Sequence, residues 1–409
     1  MNIRTLGSAL LSGHWPTLLG AWLHLAVSFM VWLLFGALAV AIGEELRLTA
    51  SQLSVLVAVP LLSGALLRVA AGWSCDWYGA KRTGLLVLGL QLAAALWAAL
   101  GGTSYGELLG IGLLLGAGGA SFAVAMPVAS RVYPTSHQGL VLGLVASGNV
   151  GTVLALLLAP RWEATLGWHG ACGVMALPIL MALGVFARVV QEAPPTRHVA
   201  GGTWRQAVWG LVRLPSVYWL CVMYGITFGG FVGLTSFLPV LLHEQYDSDP
   251  VAAGSIAALC GLIGSLIRPV GGYVADRWGG LPVLMGVFVF LALTTALAGS
   301  LSARTGGVGL FMAVIAVMGL GNGVIFQIVS EWFPKDIGVA SGLVGAAGGI
   351  GGFLVPLWFG LLWGSTGTFV IGFIGLAVVS ACAAVTVSPA LRWRHRGVAA
   401  TRNVGGFSH

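Results

Sequence analysis

Apolar positions run along this chain in long stretches separated by short polar breaks. Twelve such stretches recur, at roughly 17–42, 52–73, 84–101, 107–131, 140–159, 167–190, 216–242, 251–274, 281–300, 307–330, 339–363 and 366–388. Each is near the ~20 residues a helix needs to cross a hydrocarbon core. Helix is the expected conformation because it pairs every backbone N–H and C=O within its own segment, where lipid offers no partner. The longest polar break, "QEAPPTRHVAGGTWRQAVWGLVRLPS" at 191–216, separates six stretches from six. The pattern predicts an all-α membrane protein of twelve transmembrane helices in two pseudo-symmetric six-helix bundles. The bundles span 1–190 and 216–390, with a cytoplasmic linker over 191–215 and a cytoplasmic tail over 391–409.

Composition agrees. Of the residues 58% are hydrophobic and 8% charged, whereas soluble domains carry about 25% charged residues. The first apolar run is too long for a signal-peptide core and lacks a small-residue cleavage site. The five cysteines (Cys75, Cys172, Cys221, Cys260 and Cys382) are scattered without metal-ligand spacing, so no metal or cofactor is expected. The net charge of +7 could suggest a nucleic-acid partner, but its distribution is topological. With the N-terminus inside, fourteen of the 19 basic residues face the cytoplasm and only Arg47, Arg161 and Arg304 face outward. The expectation is a multi-pass protein of the cytoplasmic membrane with both termini inside, a lipid bilayer around it and no nucleic acid bound.

The two remaining basic residues lie inside apolar runs, two hundred positions apart. "GALLRVAAGWSCDWYGA" at 64–80 and "GSLIRPVGGYVADRWGG" at 264–280 set Arg68, Gly72, Asp76 and Gly79 in register with Arg268, Gly272, Asp276 and Gly279. Further along, "SRVYPTSHQGLVLGLVASGNVG" parallels "SEWFPKDIGVASGLVGAAGGIGG", matching Gly148 with Gly348 and Gly151 with Gly351. Glycines cluster at Gly118 and Gly119 in "GAGGA", in "GLGNG", and at Gly348 and Gly349 in "GAAGGIGG". Small residues let backbones approach and slide in lipid; tight static packing is the other reading. Internal repeats of this kind characterise transporters with a midplane site.

A charged side chain at bilayer depth costs about 3 kcal/mol. Either each arginine snorkels to the headgroups or it serves a ligand. The matched register favours the ligand, and all twelve carboxylates fall in breaks or at the ends of runs, leaving no obvious intramembrane counter-ion. A guanidinium fork matches a planar oxyanion in bidentate geometry. Nitrate, nitrite, phosphate and small carboxylates all remain open on this ground. His24 is the one intramembrane titratable group able to move a proton, though a lone histidine among apolar neighbours is more often a packing residue.

The twelve runs, the repeat and the loop "GWSCDWYGAK" resemble the major facilitator superfamily, with Trp77 standing where a basic residue is usual. The segments "GAGGASFAVAMPVASRVYP…QGLVLGLVASGNVG" and "GLGNGVIFQIVSEWFP…GVASGLVGAAGGIGGF" resemble the paired signatures of its nitrate/nitrite porter family. The resemblance implies a functional monomer of the major facilitator fold that moves nitrate, nitrite or both by alternating access, with protons as a further candidate partner. It implies that Phe122, Asn149, Tyr224 and Phe228 line the anion beside Arg68 and Arg268. Coupling, by nitrate/nitrite exchange or proton symport, stays open at this level. An intramembrane enzyme would want buried acids, paired histidines or a nucleophile with a base, and none is arranged here. A channel for anions is a further class.

Overall fold

The computed structural model describes residues 12–134, 138–191, 204–300, 304–333 and 337–404. Among these every regular element is helical. About half of the expected linker (192–203) and the last residues of the tail lie outside the described residues.

Among the described residues eleven helical segments are long and apolar enough to cross a membrane. The first four are α1 (Trp15–Glu45), α2 (Ala50–Cys75), α3 (Ala80–Leu100) and α4 (Tyr105–Ser130). The fifth, Leu144–Val189, has 46 residues, about 69 Å of helix against a ~30 Å core. It turns at Gly167, whose φ of 68° breaks the helical path. It therefore supplies two crossings, α5 (144–166) and α6 (168–189). The remainder are α7 (Pro215–Tyr246), α8 (Pro250–Trp278), α9 (Gly280–Ala298), α10 (Gly306–Trp332), α11 (Val339–Thr366) and α12 (Val370–Ala390). The total is the twelve that the apolar pattern predicts.

Local chemistry sets the ends. Thr49 opens α2 with a reciprocal cap: its hydroxyl accepts from the Gln52 N–H, and the Gln52 side chain accepts from the Thr49 N–H. Gly79 and Gly279 occupy matched turns after α2 and α8 with φ of 97° and 90°, a region that disfavours any residue with a Cβ. The paired loop glycines of the repeat are thus turn residues.

The chain divides into two compact units. One gathers Met1–Gly201 with Gly233–Leu262 and Phe353–Gly364; the other gathers Gly202–Val232, Ile263–Gly352 and Ser365–His409. Within the first, α1 is the central helix, with 94% of its most apolar window buried, while α3 has 44% and turns its other face to lipid. Glycine makes this possible. A methyl at Gly151 would overlap the Ala26 carbonyl, and one at Gly118 the Ser28 carbonyl, so α5 and α4 lie backbone-on-backbone against α1. In the second unit the same device recurs: Gly319 lies on the Gly264 carbonyl, Gly323 on that of Arg268 and Gly351 on that of Gly225.

These contacts carry a direct test. Gly151→Val should cost the purified protein several degrees of melting temperature, since overpacking costs about 1–3 kcal/mol. Gly89→Val, where an added Cβ meets nothing within 4 Å, should leave the melt unchanged. Equal melts for the two variants would show that the α1–α5 contact is not tight.

Candidate anion site

Arg68 projects from α2 into the first unit and is 8% exposed. Its Nε and Nη2 both donate to the Gly119 carbonyl, at 3.2 and 3.0 Å. Its Cζ stands 5.6 Å from the centre of the Phe122 ring, within cation–π range. The carbonyl is reachable because α4 is interrupted at Gly116 and Ser121, and residue 119 has no side chain to cover it. The guanidinium is turned into the protein and onto α4, away from a snorkelling path.

Asn149 closes a short 3₁₀ turn, Ser147–Asn149, at the start of α5. Its Oδ1 is buried with no hydrogen-bond partner among the described residues, although a buried amide oxygen wants a donor. Gly148, one residue before, rests against Leu25 and the Ala26 N–H of α1. Nearby, His24 is wholly buried; its Nε2 lies 3.2 Å from the Gly84 carbonyl and its ring 4.7 Å from that of Phe186.

The second unit holds the other arginine. Arg268 follows a break in α8 at Ile267. Its Nη2 donates to the Tyr224 hydroxyl at 3.4 Å, and its Cζ lies 5.5 Å from the centre of the Phe228 ring. Tyr224 and Phe228 stand four residues apart on α7 and stack nearly parallel, 5.0 Å between centres and 3° between planes. A π-turn, Gly225–Gly229, begins just after Tyr224 and carries Phe228. Phe326 of α10 closes the group edge-on to Tyr224 at 5.1 Å. Gly348 of α11 leaves room for the pair: a Cβ there would come within 2.7 Å of both rings. Gly349 is buried beside it.

The structure thus groups Arg68 with Phe122, and Arg268 with Tyr224 and Phe228, each group inside its own unit. Gly118 and Gly148 serve helix packing. Gly72 and Gly272 line the backs of α2 and α8, facing Ala123 and the Gly323 carbonyl. Asp276 is exposed at the end of α8, and the side chain of Asp76 lies outside the described residues. Among the described residues no group of three His, Cys, Asp or Glu could hold a metal ion.

Three features escape sequence reasoning. The Gly119 carbonyl is a backbone group that no motif announces. Phe326 is one phenylalanine among seventeen, and its counterpart in the first half is Met126, so the repeat does not mark it. The third is a pair of histidine–glutamate contacts at the end of α1, with His243 Nε2 3.4 Å from Glu44 and His169 Nε2 3.8 Å from Glu45.

In chemical terms, each unit presents a guanidinium beside an aromatic face, held by a neutral oxygen. That arrangement suits a small planar oxyanion. Comparison with known proteins points the same way. Residues 20–330 match the family model described as Major Facilitator Superfamily. The chain is 32% identical over 369 residues to a "Nitrite extrusion protein" of Bacillus subtilis, covering 89% of this chain and 91% of the relative. It is 30% identical to a "Probable nitrate transporter NarT" of Staphylococcus haemolyticus, covering 89% and 94%. It is also 30% identical to a "Probable nitrate/nitrite antiporter NarK1" of Thermus thermophilus, covering 88% of each chain. Among solved structures, a D-xylose–proton symporter superposes with a TM-score of 0.72 at 18% identity, covering 93% and 97%; at that identity the likeness is one of fold.

Proposed function

Since the chain belongs to the nitrate/nitrite porter family of the major facilitator superfamily, we propose that it carries nitrate and nitrite across the cytoplasmic membrane by alternating access. It is a carrier and not an enzyme, acts as a monomer, and keeps both termini in the cytoplasm, as its basic loops require. The observation that carries the reading is the pair of intramembrane arginines, Arg68 and Arg268, each set beside an aromatic ring and each held by a neutral oxygen.

A guanidinium in a low-dielectric setting interacts strongly with any net charge nearby. The Gly119 carbonyl and the Tyr224 hydroxyl offer lone pairs but no negative charge. A bound oxyanion supplies it and can accept two parallel N–H bonds from a guanidinium fork. Phe122 and Phe228 flank the cations and exclude water, which strengthens the attraction. Asn149 adds an amide N–H donor at the head of α5. Differential affinity for the anion among conformations is what lets a ligand drive the change. If the occupied carrier switches readily and the empty one does not, transport becomes obligatory exchange of one anion for the other.

Exchange is the coupling we favour. His24, the one intramembrane group placed to carry a proton, is tied to the Gly84 carbonyl and packed on Phe186, a setting that fits a packing role. Proton symport is the second reading, and it predicts a different experiment.

Uptake of labelled nitrate into proteoliposomes discriminates them. Internal nitrite should stimulate uptake several-fold while an imposed pH gradient leaves it unchanged; stimulation by the gradient alone would establish symport. Excess phosphate or acetate should not compete, and competition by either would reassign the substrate.

Arg68→Lys and Arg268→Lys should each raise the apparent Km for nitrate at least about tenfold, because a lysine cannot reproduce the fork. Normal transport by both would remove the arginines from the site. Gly348→Val, which drives a methyl into Tyr224 and Phe228, should lower nitrate uptake by a similar factor with the protein still folded. Unaltered uptake would mean the stacked pair has no part in binding.

A further inference from the structure

Asn322, in the "GLGNG" run of α10, is fully buried, and neither its Oδ1 nor its Nδ2 has a hydrogen-bond partner among the described residues. A polar side chain this deep in a membrane protein is expensive to leave unpaired and is a functional candidate by default. Its backbone neighbours are pinned on two sides. Gly323 lies on the Arg268 carbonyl, and at Gly321 a Cβ would come within 2.8 Å of the Thr227 methyl. Asn322 therefore stands between the helix of Arg268 and the π-turn of α7. Thr227, on that turn, is also fully buried with its Oγ1 unpartnered. Phe326, one turn along the same face of α10, is the ring that closes edge-on upon Tyr224.

The repeat makes the position more informative. At the two-hundred-residue offset that pairs Arg68 with Arg268, Asn322 is the counterpart of Phe122, and Phe228 is the counterpart of Ser28. Phe122 is the ring beside Arg68, whereas beside Arg268 the ring is Phe228. The halves have exchanged aromatic and polar positions. Where one half covers its guanidinium with a ring from the fourth helix of the repeat, the other places an amide.

We propose that Asn322 is an anion-binding residue on the Arg268 side, donating an Nδ2–H to the oxyanion, with the Thr227 hydroxyl donating to Oδ1 and fixing the amide. This rests on the anion-carrier reading above. A guanidinium fork takes two oxygens of a planar oxyanion. Nitrite has no third oxygen and nitrate does, so the extra donor selects nitrate over nitrite.

The test uses the full chain in proteoliposomes, with nitrate and nitrite each competing against labelled nitrate. Asn322→Ala should weaken nitrate about tenfold and nitrite much less, and Thr227→Val should shift the ratio in the same direction by a smaller factor. Asn322→Leu serves as the packing control, with the nitrate-induced shift in melting temperature as a second readout. If the leucine variant keeps the wild-type nitrate-to-nitrite ratio, or if alanine weakens both anions equally, Asn322 is a packing residue and the proposal is overturned. Should Asn322→Ala fail to fold, the Thr227→Val ratio decides, and an unchanged ratio overturns it. Failure of the wild-type protein to take up nitrate would instead sink the anion-carrier reading, a result visible before any variant is compared.

Discussion

A permanent cation cannot be left bare at the depth of a hydrocarbon layer, and much of this molecule is arranged around that constraint. Arg68 and Arg268 each receive an oxygen, from the Gly119 carbonyl and the Tyr224 hydroxyl, and each lies near an aromatic face. Those partners are neutral. Each can hold a guanidinium in place, and neither brings a charge of its own.

Supplying such partners requires breaking helices where lipid would forbid it. Backbone at membrane depth can depart from α geometry only where protein covers it. The interruptions in α4 at Gly116 and Ser121, the 3₁₀ turn at Ser147–Asn149, the break at Ile267 and the π-turn at Gly225–Gly229 all fall beside the polar residues of the two groups. The glycines around them let neighbouring helices close over the irregular backbone. Packing and binding thus draw on the same residues, so a glycine substitution near either group should not be read as purely structural or purely functional.

The repeat is faithful in its skeleton and unfaithful in its chemistry. Arginines, turn glycines and some close-packing glycines, such as Gly151 and Gly351, correspond across the two hundred residues, while the side chains around each arginine do not. His24 stands opposite Tyr224, Ser28 opposite Phe228 and Phe122 opposite Asn322. The two arginines therefore lie in unlike surroundings, one beside Phe122 and the other beside Tyr224 and Phe228.

The sequence by itself determined the class, the number of crossings and the repeat, because each rests on a local property: the length of an apolar run, glycines kept in register, a cation in a run without acids. It marked Arg68 and Arg268 for the same reason. What each cation lies against was decided only by tertiary structure, since the Gly119 carbonyl leaves no trace in the identity of residue 119. The break between the fifth and sixth stretches was legible, but its turning residue, Gly167, and the edge-on place of Phe326 were not, the first because one glycine among 63 carries little signal. The second depends on how α10 is rotated against α7. Helix rotation is set by side-chain and backbone contacts between segments far apart in the chain, and no local pattern records it.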